Sequence, residues 1–137
     1  MIKRNATAVW NGNGQDGAGY ISTQSTVLDK TQYSFKSRFA DGPGTNPEEL
    51  LAAAHAGCFT MKLTFSLQEM GYTAEKLETK AIITLEDGIK ESHLILVAKV
   101  PGISADAFNE AVKDAKTNCP ISRALTAEIT IHTTLEG

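Results

Sequence analysis

The first third of the chain alternates hydrophobic and polar residues, which is the pattern of β-strands. Strands are predicted over residues 6–10, 20–28 and 32–39, with a glycine- and asparagine-rich turn at 11–14 after the first of them. In the third run, aromatic side chains share one face and basic side chains share the other. We therefore expect a three-stranded meander that places Arg38 on a strand.

A long apolar helix is predicted over about residues 47–70. Asn46 suits its N-cap, and Glu49 stands where a capping box needs it. Gly71 suits the position just beyond its end. Apolar and small side chains fall on nearly every side of this segment, the pattern of a helix that is buried all round. A 137-residue chain has few other elements to cover it, so we expect a partner subunit to cover one face.

The second half of the chain predicts a hairpin, a helix and a last strand. The hairpin covers residues 75–86 and 92–100, the helix 104–117 and the strand 126–135, with a short helical turn that begins at Cys119. The order β-β-β-α-β-β-α-β lacks the regular alternation of a parallel sheet. We expect an α+β fold in which the long helix packs against antiparallel sheets, in a single domain over residues 1–137.

Composition and charge exclude several classes of function. Thirteen Lys and Arg against sixteen Asp and Glu leave a formal charge of −3, which disfavours nucleic-acid binding. No apolar run approaches the ~20 residues of a membrane helix, and the N-terminus shows no apolar stretch of a signal peptide. We therefore expect a cytoplasmic protein that binds neither nucleic acid nor membrane. No pattern indicates an organic cofactor, and two cysteines are too few for a closed zinc site.

Cys58 and Cys119 are the chain's only cysteines. Three interpretations are open: both are inert core thiols, one of them is a nucleophile, or the two form a redox pair. Cys58 falls in the middle of the long helix, where the helix dipole does not act, so its activation needs a cation or a donor from another element. Cys119 precedes Pro120 and so stands at a helix N-terminus, a position that stabilises a thiolate.

His55 lies three residues before Cys58 and can face it on the helix. Such a pair suggests a thiol hydrolase or half of a metal site, and the alternative is a helix histidine in a polar niche. No second pair of metal ligands has a suitable spacing. Glu48 is explained locally as an acidic residue in the first turn of the helix, and Arg38 as a solvated surface charge.

Two segments of the chain resemble one known family. Residues 44–59 have the sequence GTNPEELLAAAHAGCF, and residues 118–125 have the sequence NCPISRAL. They are similar to the central helix and the second-cysteine segment of the OsmC/Ohr family of peroxidases, at that family's usual separation and with its order of elements. The resemblance covers essentially the whole chain. The helix that contains His55, together with Arg38, looks more like the OsmC branch than the Ohr branch.

The resemblance implies a thiol-dependent peroxidase that acts on organic hydroperoxides. It implies an intertwined homodimer with two sites at the subunit interface, in which an external dithiol of unspecified identity is the reductant. Carried over by position, Cys58 is the peroxidatic thiol and Cys119 the resolving thiol. Glu48 matches the family's glutamate, and Arg38 is the candidate for its arginine.

Helix geometry adds a constraint on this site. Glu48 and Cys58 lie ten residues apart on one helix, which is ~15 Å along its axis. One arginine that bridges both within a subunit would be strained, so we expect Arg38 and Glu48 of one subunit to complete the site around the cysteines of the other. Two alternatives stay open: a non-catalytic dimeric stress or binding protein with structural cysteines, and a thiol hydrolase that uses Cys58 and His55.

Overall fold

The structure is a computed structural model that describes residues 1–137. It forms two compact units, Met1–Leu50 and Leu51–Gly137. The predicted α+β class is confirmed, with two three-stranded sheets and one long helix. The single domain over residues 1–137 stays a prediction.

The first unit contains a small antiparallel sheet. Its strands are β1 (Ala6–Asn11), β2 (Ala18–Thr23) and β3 (Thr31–Tyr33), and they lie side by side in that order. The Trp10 ring meets the Tyr33 ring edge-on, with 5.3 Å between centroids. A Cβ atom at Gly19 would lie 2.6 Å from the Trp10 ring, so only glycine lets β2 pass beneath this aromatic pair.

The predicted strand over residues 32–39 is wrong beyond Tyr33. The chain leaves the sheet there and forms the short helix α1 (Phe35–Phe39), so Arg38 lies on a helix. A reciprocal serine cap explains the change. The Ser34 hydroxyl accepts from the Ser37 N–H at 3.1 Å, and the Ser37 hydroxyl accepts from the Ser34 N–H at 2.7 Å.

The long helix α2 (Pro47–Glu69) matches its prediction at both ends. The Asn46 side chain accepts from the Glu49 N–H at 2.7 Å and donates to the Ser37 carbonyl at 2.9 Å. Asn46 therefore caps α2 and also ties its first turn to α1. The reciprocal half of the predicted capping box does not form, because the Glu49 carboxylate accepts from the Thr45 hydroxyl instead.

The C-terminal end of α2 closes in a Schellman motif. The Tyr72 N–H donates to the Leu67 carbonyl at 2.9 Å, and the Gly71 N–H donates to the Gln68 carbonyl at 3.0 Å. Gly71 adopts the left-handed conformation that this motif requires, with φ of 90°. The glycine thus ends the helix where the sequence predicts.

The second unit contains a mixed sheet rather than the predicted antiparallel one. The strands β4 (Lys76–Leu85) and β5 (Ile89–Lys99) form the expected hairpin, but β6 (Glu128–Glu136) pairs parallel to β5. The helices α3 (Ala105–Asn118) and α4 (Pro120–Ala124) explain this difference. They form a crossover long enough to return the chain to the same end of the sheet before β6 begins.

The core of the second unit is built on one face of α2. Phe59, Leu63 and Leu67 of this helix are fully buried. They belong to a cluster with apolar side chains of β5 and α3, namely Leu94, Leu96, Ala98, Phe108, Ala111 and Ala115.

The opposite face of α2 is exposed, so the expectation of a helix buried all round does not hold within one chain. Met61 is 63% exposed and Phe65 is 54% exposed. By length and composition alone α2 is also apolar enough to cross a membrane, which the count of uninterrupted apolar residues missed. The fully buried stripe on its other face is what a core helix of a globular unit shows.

Replacing the cap of α2 tests the local folding argument. Asn46→Ala removes the acceptor for the Glu49 N–H and the donor to the Ser37 carbonyl, so we expect a loss of about 1–2 kcal/mol in the free energy of unfolding. Urea unfolding followed by circular dichroism measures it. Asn109→Ala, at an exposed position of α3, is the control. Equal losses in both variants would contradict this role of Asn46.

Candidate functional site

The two cysteines meet in the second unit. Cys58 lies on α2 and is partly exposed, whereas Cys119 is fully buried at the junction where α3 ends and α4 begins. Both are free thiols, and their sulfurs lie 2.9 Å apart. A disulfide bond measures about 2.05 Å, so a short movement of the side chains is enough to join them. The sequence could not choose between separate thiols and a pair, and the structure forms the pair.

The surroundings of the two thiols differ in a way that decides which one ionises more easily. Burial raises the pKa of Cys58, and the adjacent Cys119 adds to the rise. Burial also acts to raise the pKa of Cys119, but hydrogen bonding to Cys58 and to the Ser122 and Ile121 groups outweighs it and lowers that pKa. In the neutral pair Cys119 donates its S–H to Cys58 and makes no capping hydrogen bond to α4. On ionisation the donors around Cys119 favour the thiolate there.

His55 is fully buried beside this pair, in contact with two serines. Its Nδ1 lies 2.6 Å from the Ser92 hydroxyl on β5, and its Nε2 lies 2.7 Å from the Ser122 hydroxyl on α4. Burial lowers the pKa of His55, so the ring is neutral near pH 7. Both ring nitrogens are occupied, and the Cys58–His55 hydrogen bond that a thiol hydrolase needs is not formed.

Sequence reasoning missed both serines. Ser92 lies on the face of β5 that also carries Leu94, Leu96 and Ala98, and it is fully buried. A polar residue on an otherwise apolar strand face was the available signal, because a buried hydroxyl needs a partner. Ser122 follows Cys119 by three residues within the second-cysteine segment.

The other two predicted site residues form an ion pair in the first unit. Arg38 Nε lies 3.1 Å from Glu48 Oε1, and Arg38 Nη2 lies 3.2 Å from Glu48 Oε2. This two-point contact fixes the plane of the guanidinium. The Arg38 Nη1 group makes no hydrogen bond in the structure. The side chain of Arg38 is 41% exposed and that of Glu48 is 14% exposed, so one edge of the arginine is free to meet a ligand.

An aromatic cavity of about 230 Å³ lies next to this arginine within the first unit. The guanidinium stacks over the Phe39 ring at 4.9 Å. The cavity presents one cation among apolar walls, lined by Trp10, Tyr33, Phe35, Arg38 and Phe39. Such a site suits a molecule with an apolar body and one polar or anionic end.

The four predicted site residues therefore form two pairs. Arg38 and Glu48 belong to the unit Met1–Leu50, and Cys58 and Cys119 belong to the unit Leu51–Gly137. Neither unit contains all four. No group of three or more His, Cys, Asp or Glu side chains is placed to hold a metal ion.

An open apolar groove runs along the exposed face of α2 in the second unit. Its volume is about 550 Å³, and its walls include Ala56, Thr60, Met61, Thr64, Phe65 and, from β4, Thr79. Exposed apolar surface of this extent in a small protein commonly marks an interaction surface.

Comparisons with known proteins agree on one family. A family model described as OsmC-like protein matches residues 40–134. The chain is 40% identical over 141 residues to peroxiredoxin OsmC of Escherichia coli (strain K12), with 99% of each chain covered. It is 33% identical over 90 residues to organic hydroperoxide resistance protein OhrA of Bacillus subtilis (strain 168), with 64% of each covered.

Solved structures show the same fold. The OsmC-like protein from Mycoplasma pneumoniae superposes with a TM-score of 0.78 at 18% identity, with 99% of both chains covered. The organic hydroperoxide resistance protein OhrB of Bacillus subtilis superposes with a TM-score of 0.66 at 24% identity, covering 96% of this chain and 98% of that one. With a matching family model over most of its length and a relative 40% identical from end to end, this chain belongs to the OsmC family.

Proposed function

We propose that this protein is a thiol peroxidase that reduces organic hydroperoxides to alcohols. The observation that carries the proposal is the pair of free thiols at 2.9 Å, one partly exposed and one buried. Relatives named peroxiredoxin and organic hydroperoxide resistance protein support peroxidase chemistry for the family. The sulfur pair supports a mechanism in which the reaction passes through a disulfide bond within one chain.

Cys58 is the thiol that attacks the peroxide, because it is the exposed member of the pair. Its thiolate takes one oxygen of the peroxide, the O–O bond breaks, and the departing alkoxide takes up a proton to become the alcohol. Cys58 is left as a sulfenic acid. Cys119 then attacks the Cys58 sulfur, hydroxide leaves and is protonated to water, and the disulfide forms. An external dithiol returns both cysteines to thiols.

Cys58 needs a cation for this role, since burial raises its pKa and no positive charge lowers it within its own unit. We assign that cation to Arg38, which Glu48 holds in a fixed plane with one edge free. A guanidinium beside Cys58 stabilises the thiolate and polarises the departing oxygen. We assign this arginine and its glutamate to the partner subunit. Within one subunit Glu48 and Cys58 lie ~15 Å apart along α2, too far for one arginine to contact both without strain.

The exposed apolar face of α2 is where we place the second subunit. Met61 and Phe65 are more than half exposed and border the open groove on this helix. A second copy that packs there removes this surface from water. The aromatic cavity beside Arg38 then supplies the apolar wall that favours an alkyl hydroperoxide over hydrogen peroxide.

A thiol count before and after peroxide tests the central proposal. With one equivalent of cumene hydroperoxide, we expect both thiols per chain to disappear, faster than with hydrogen peroxide. Cys58→Ser should keep its one thiol. Cys119→Ser should lose its thiol to a sulfenic acid that a dimedone probe captures, because no resolving thiol remains. Thiols that survive the organic peroxide in the folded wild-type protein would reject the peroxidase and favour a binding protein with structural cysteines.

Substitutions at the ion pair test the assigned cation. Arg38→Lys should slow the oxidation of Cys58 by roughly a hundredfold, because an ammonium cannot make the planar two-point contact with Glu48. Glu48→Gln should slow it less, since the guanidinium keeps its charge but loses its fixed orientation. Stopped-flow measurement of thiol loss gives both rates. Arg4→Ala is the matched control, because Arg4 is an exposed arginine of the same unit that contacts only the Lys3 carbonyl. A rate in Arg38→Lys equal to that of the control would remove Arg38 from the site.

A charge on the apolar face of α2 tests the proposed dimer. Phe65→Asp should convert a dimer to a monomer in analytical ultracentrifugation at micromolar concentration, since a carboxylate cannot be buried there without a partner. Val27→Asp, at a position 81% exposed in the other unit, should leave the dimer intact. A wild-type protein that sediments as a monomer and is fully active would refute both the dimer and the shared site.

A further inference from the structure

A buried row of polar side chains leads from β5 to the sulfur of Cys119. Ser92 contacts His55 Nδ1, and Ser122 contacts His55 Nε2, at 2.6 and 2.7 Å. Ser122 is the third residue of α4, and Cys119 is the N-cap residue of that helix. Because the third residue of a helix lies beside the N-cap residue, the Ser122 hydroxyl and N–H are close to Cys119, and both act to lower the pKa of that thiol. The row joins three elements, and every member is nine-tenths buried or more.

The count of donors and acceptors in this row decides how its protons are arranged. A neutral imidazole carries one N–H and one bare nitrogen, so one serine donates to His55 and the other accepts from it. The hydroxyl of Ser92 has no hydrogen-bond partner in the structure except His55. If His55 Nδ1 carried the proton, the buried hydroxyl of Ser92 would have no acceptor, which proteins avoid.

The opposite tautomer satisfies every group. Ser92 donates to His55 Nδ1, and His55 Nε2–H donates to the Ser122 oxygen. The Ser122 hydroxyl proton is then free to point at the sulfur of Cys119. The two hydrogen bonds of His55 then run in one direction, from Ser92 toward Ser122, and a hydroxyl proton directed at Cys119 continues that direction.

We propose that His55 is a positioning residue which, protonated on Nε2, aims the Ser122 hydroxyl at Cys119 and favours its thiolate. His55 does not act as a base here. It is fully buried, and both ring nitrogens already have neutral partners. An imidazolium in that place would have no counter-charge among the groups that it contacts.

The consequence for the reaction lies in the second step. There the Cys119 sulfur attacks the Cys58 sulfenic acid, the S–O bond breaks as the S–S bond forms, and the thiol proton and the departing hydroxide leave as water. A larger thiolate fraction at Cys119 makes this step faster and shortens the life of the sulfenic acid. This assignment to resolution rests on the proposed function, whereas the hydrogen-bonded row does not.

The first test determines the tautomer directly. In reduced protein labelled with ¹⁵N-histidine, the ring nitrogens of His55 should appear as a protonated Nε2 and a bare Nδ1 at neutral pH. His55→Gln identifies the signals, because His93 and His132 are the only other histidines. A protonated Nδ1, or an imidazolium, would overturn the proposal, since the Ser122 hydroxyl would then not be held toward Cys119.

The second test measures the ionisation of Cys119 alone. The background is Cys58→Ser, which keeps a hydroxyl beside Cys119 and removes the one titratable group that contacts it. The ultraviolet absorbance of the thiolate is followed against pH, with the spectrum of the double variant Cys58→Ser/Cys119→Ser subtracted. Adding Ser122→Ala should raise the pKa of Cys119 enough to leave about tenfold less thiolate at pH 7.

Three further variants make the result specific to this row. Ser66→Ala removes another buried hydroxyl of the same unit, bonded to Asp114, and should leave the titration unchanged. His55→Leu should raise the pKa of Cys119, and His55→Gln, which keeps an N–H for Ser122, should restore part of the loss. If His55→Leu does not fold, Ser122→Ala decides the outcome. An unchanged titration in Ser122→Ala would overturn the proposal.

The two proposals fail separately. If peroxide does not oxidise Cys58 in Cys119→Ser, the peroxidase is rejected while the tautomer and the titration of Cys119 stand. If Cys58 is oxidised normally but Cys119 titrates alike with and without Ser122, the peroxidase stands and the role of His55 is rejected.

Discussion

The hydrogen bond between His55 and Ser122 joins α4 to the central helix, and the placement of Cys119 depends on it. The two cysteines are 61 residues apart in sequence. They meet because the first turn of α4, which Cys119 caps, is fixed against α2 by a buried contact of 2.7 Å. Breaking this contact removes the hydrogen bond of the buried His55 Nε2 and of the buried Ser122 hydroxyl, a penalty of about 1–3 kcal/mol for each group left without a partner. The geometry of the sulfur pair is therefore held by polar atoms as well as by the core.

Sequence patterns predicted the elements whose signals are local. The bounds of α2 followed from Asn46 and Gly71, because helix caps depend on a few adjacent residues. The failures involve contacts that are distant or ambiguous. Phe35–Phe39 alternates like a strand, and only the Ser34–Ser37 cap reveals the helix. The parallel pairing of β6 depends on the path of a crossover, which no periodicity records.

For the candidate site, the sequence indicated the residue types but not all the contacts. Arg38 and Glu48 form an ion pair even though the strand predicted for Arg38 is a helix. The spacing of His55 and Cys58 suggested a catalytic pair, but His55 instead contacts two serines that lie 37 and 67 residues further along the chain. Tertiary packing determines such partners. The only indication of them in the sequence is Ser92, a polar residue on the apolar face of β5.

The aromatic pair above Gly19 has a practical consequence. Trp10 is the only tryptophan of the chain, and it lines the same cavity as Arg38. Its ring is held by the edge of Tyr33, and its indole N–H donates to the Asn13 carbonyl at 3.0 Å. The single tryptophan is therefore a built-in optical probe in the wall of the arginine cavity. A molecule that enters there changes that signal whether or not sulfur chemistry follows, so binding and oxidation are separable in a single cuvette.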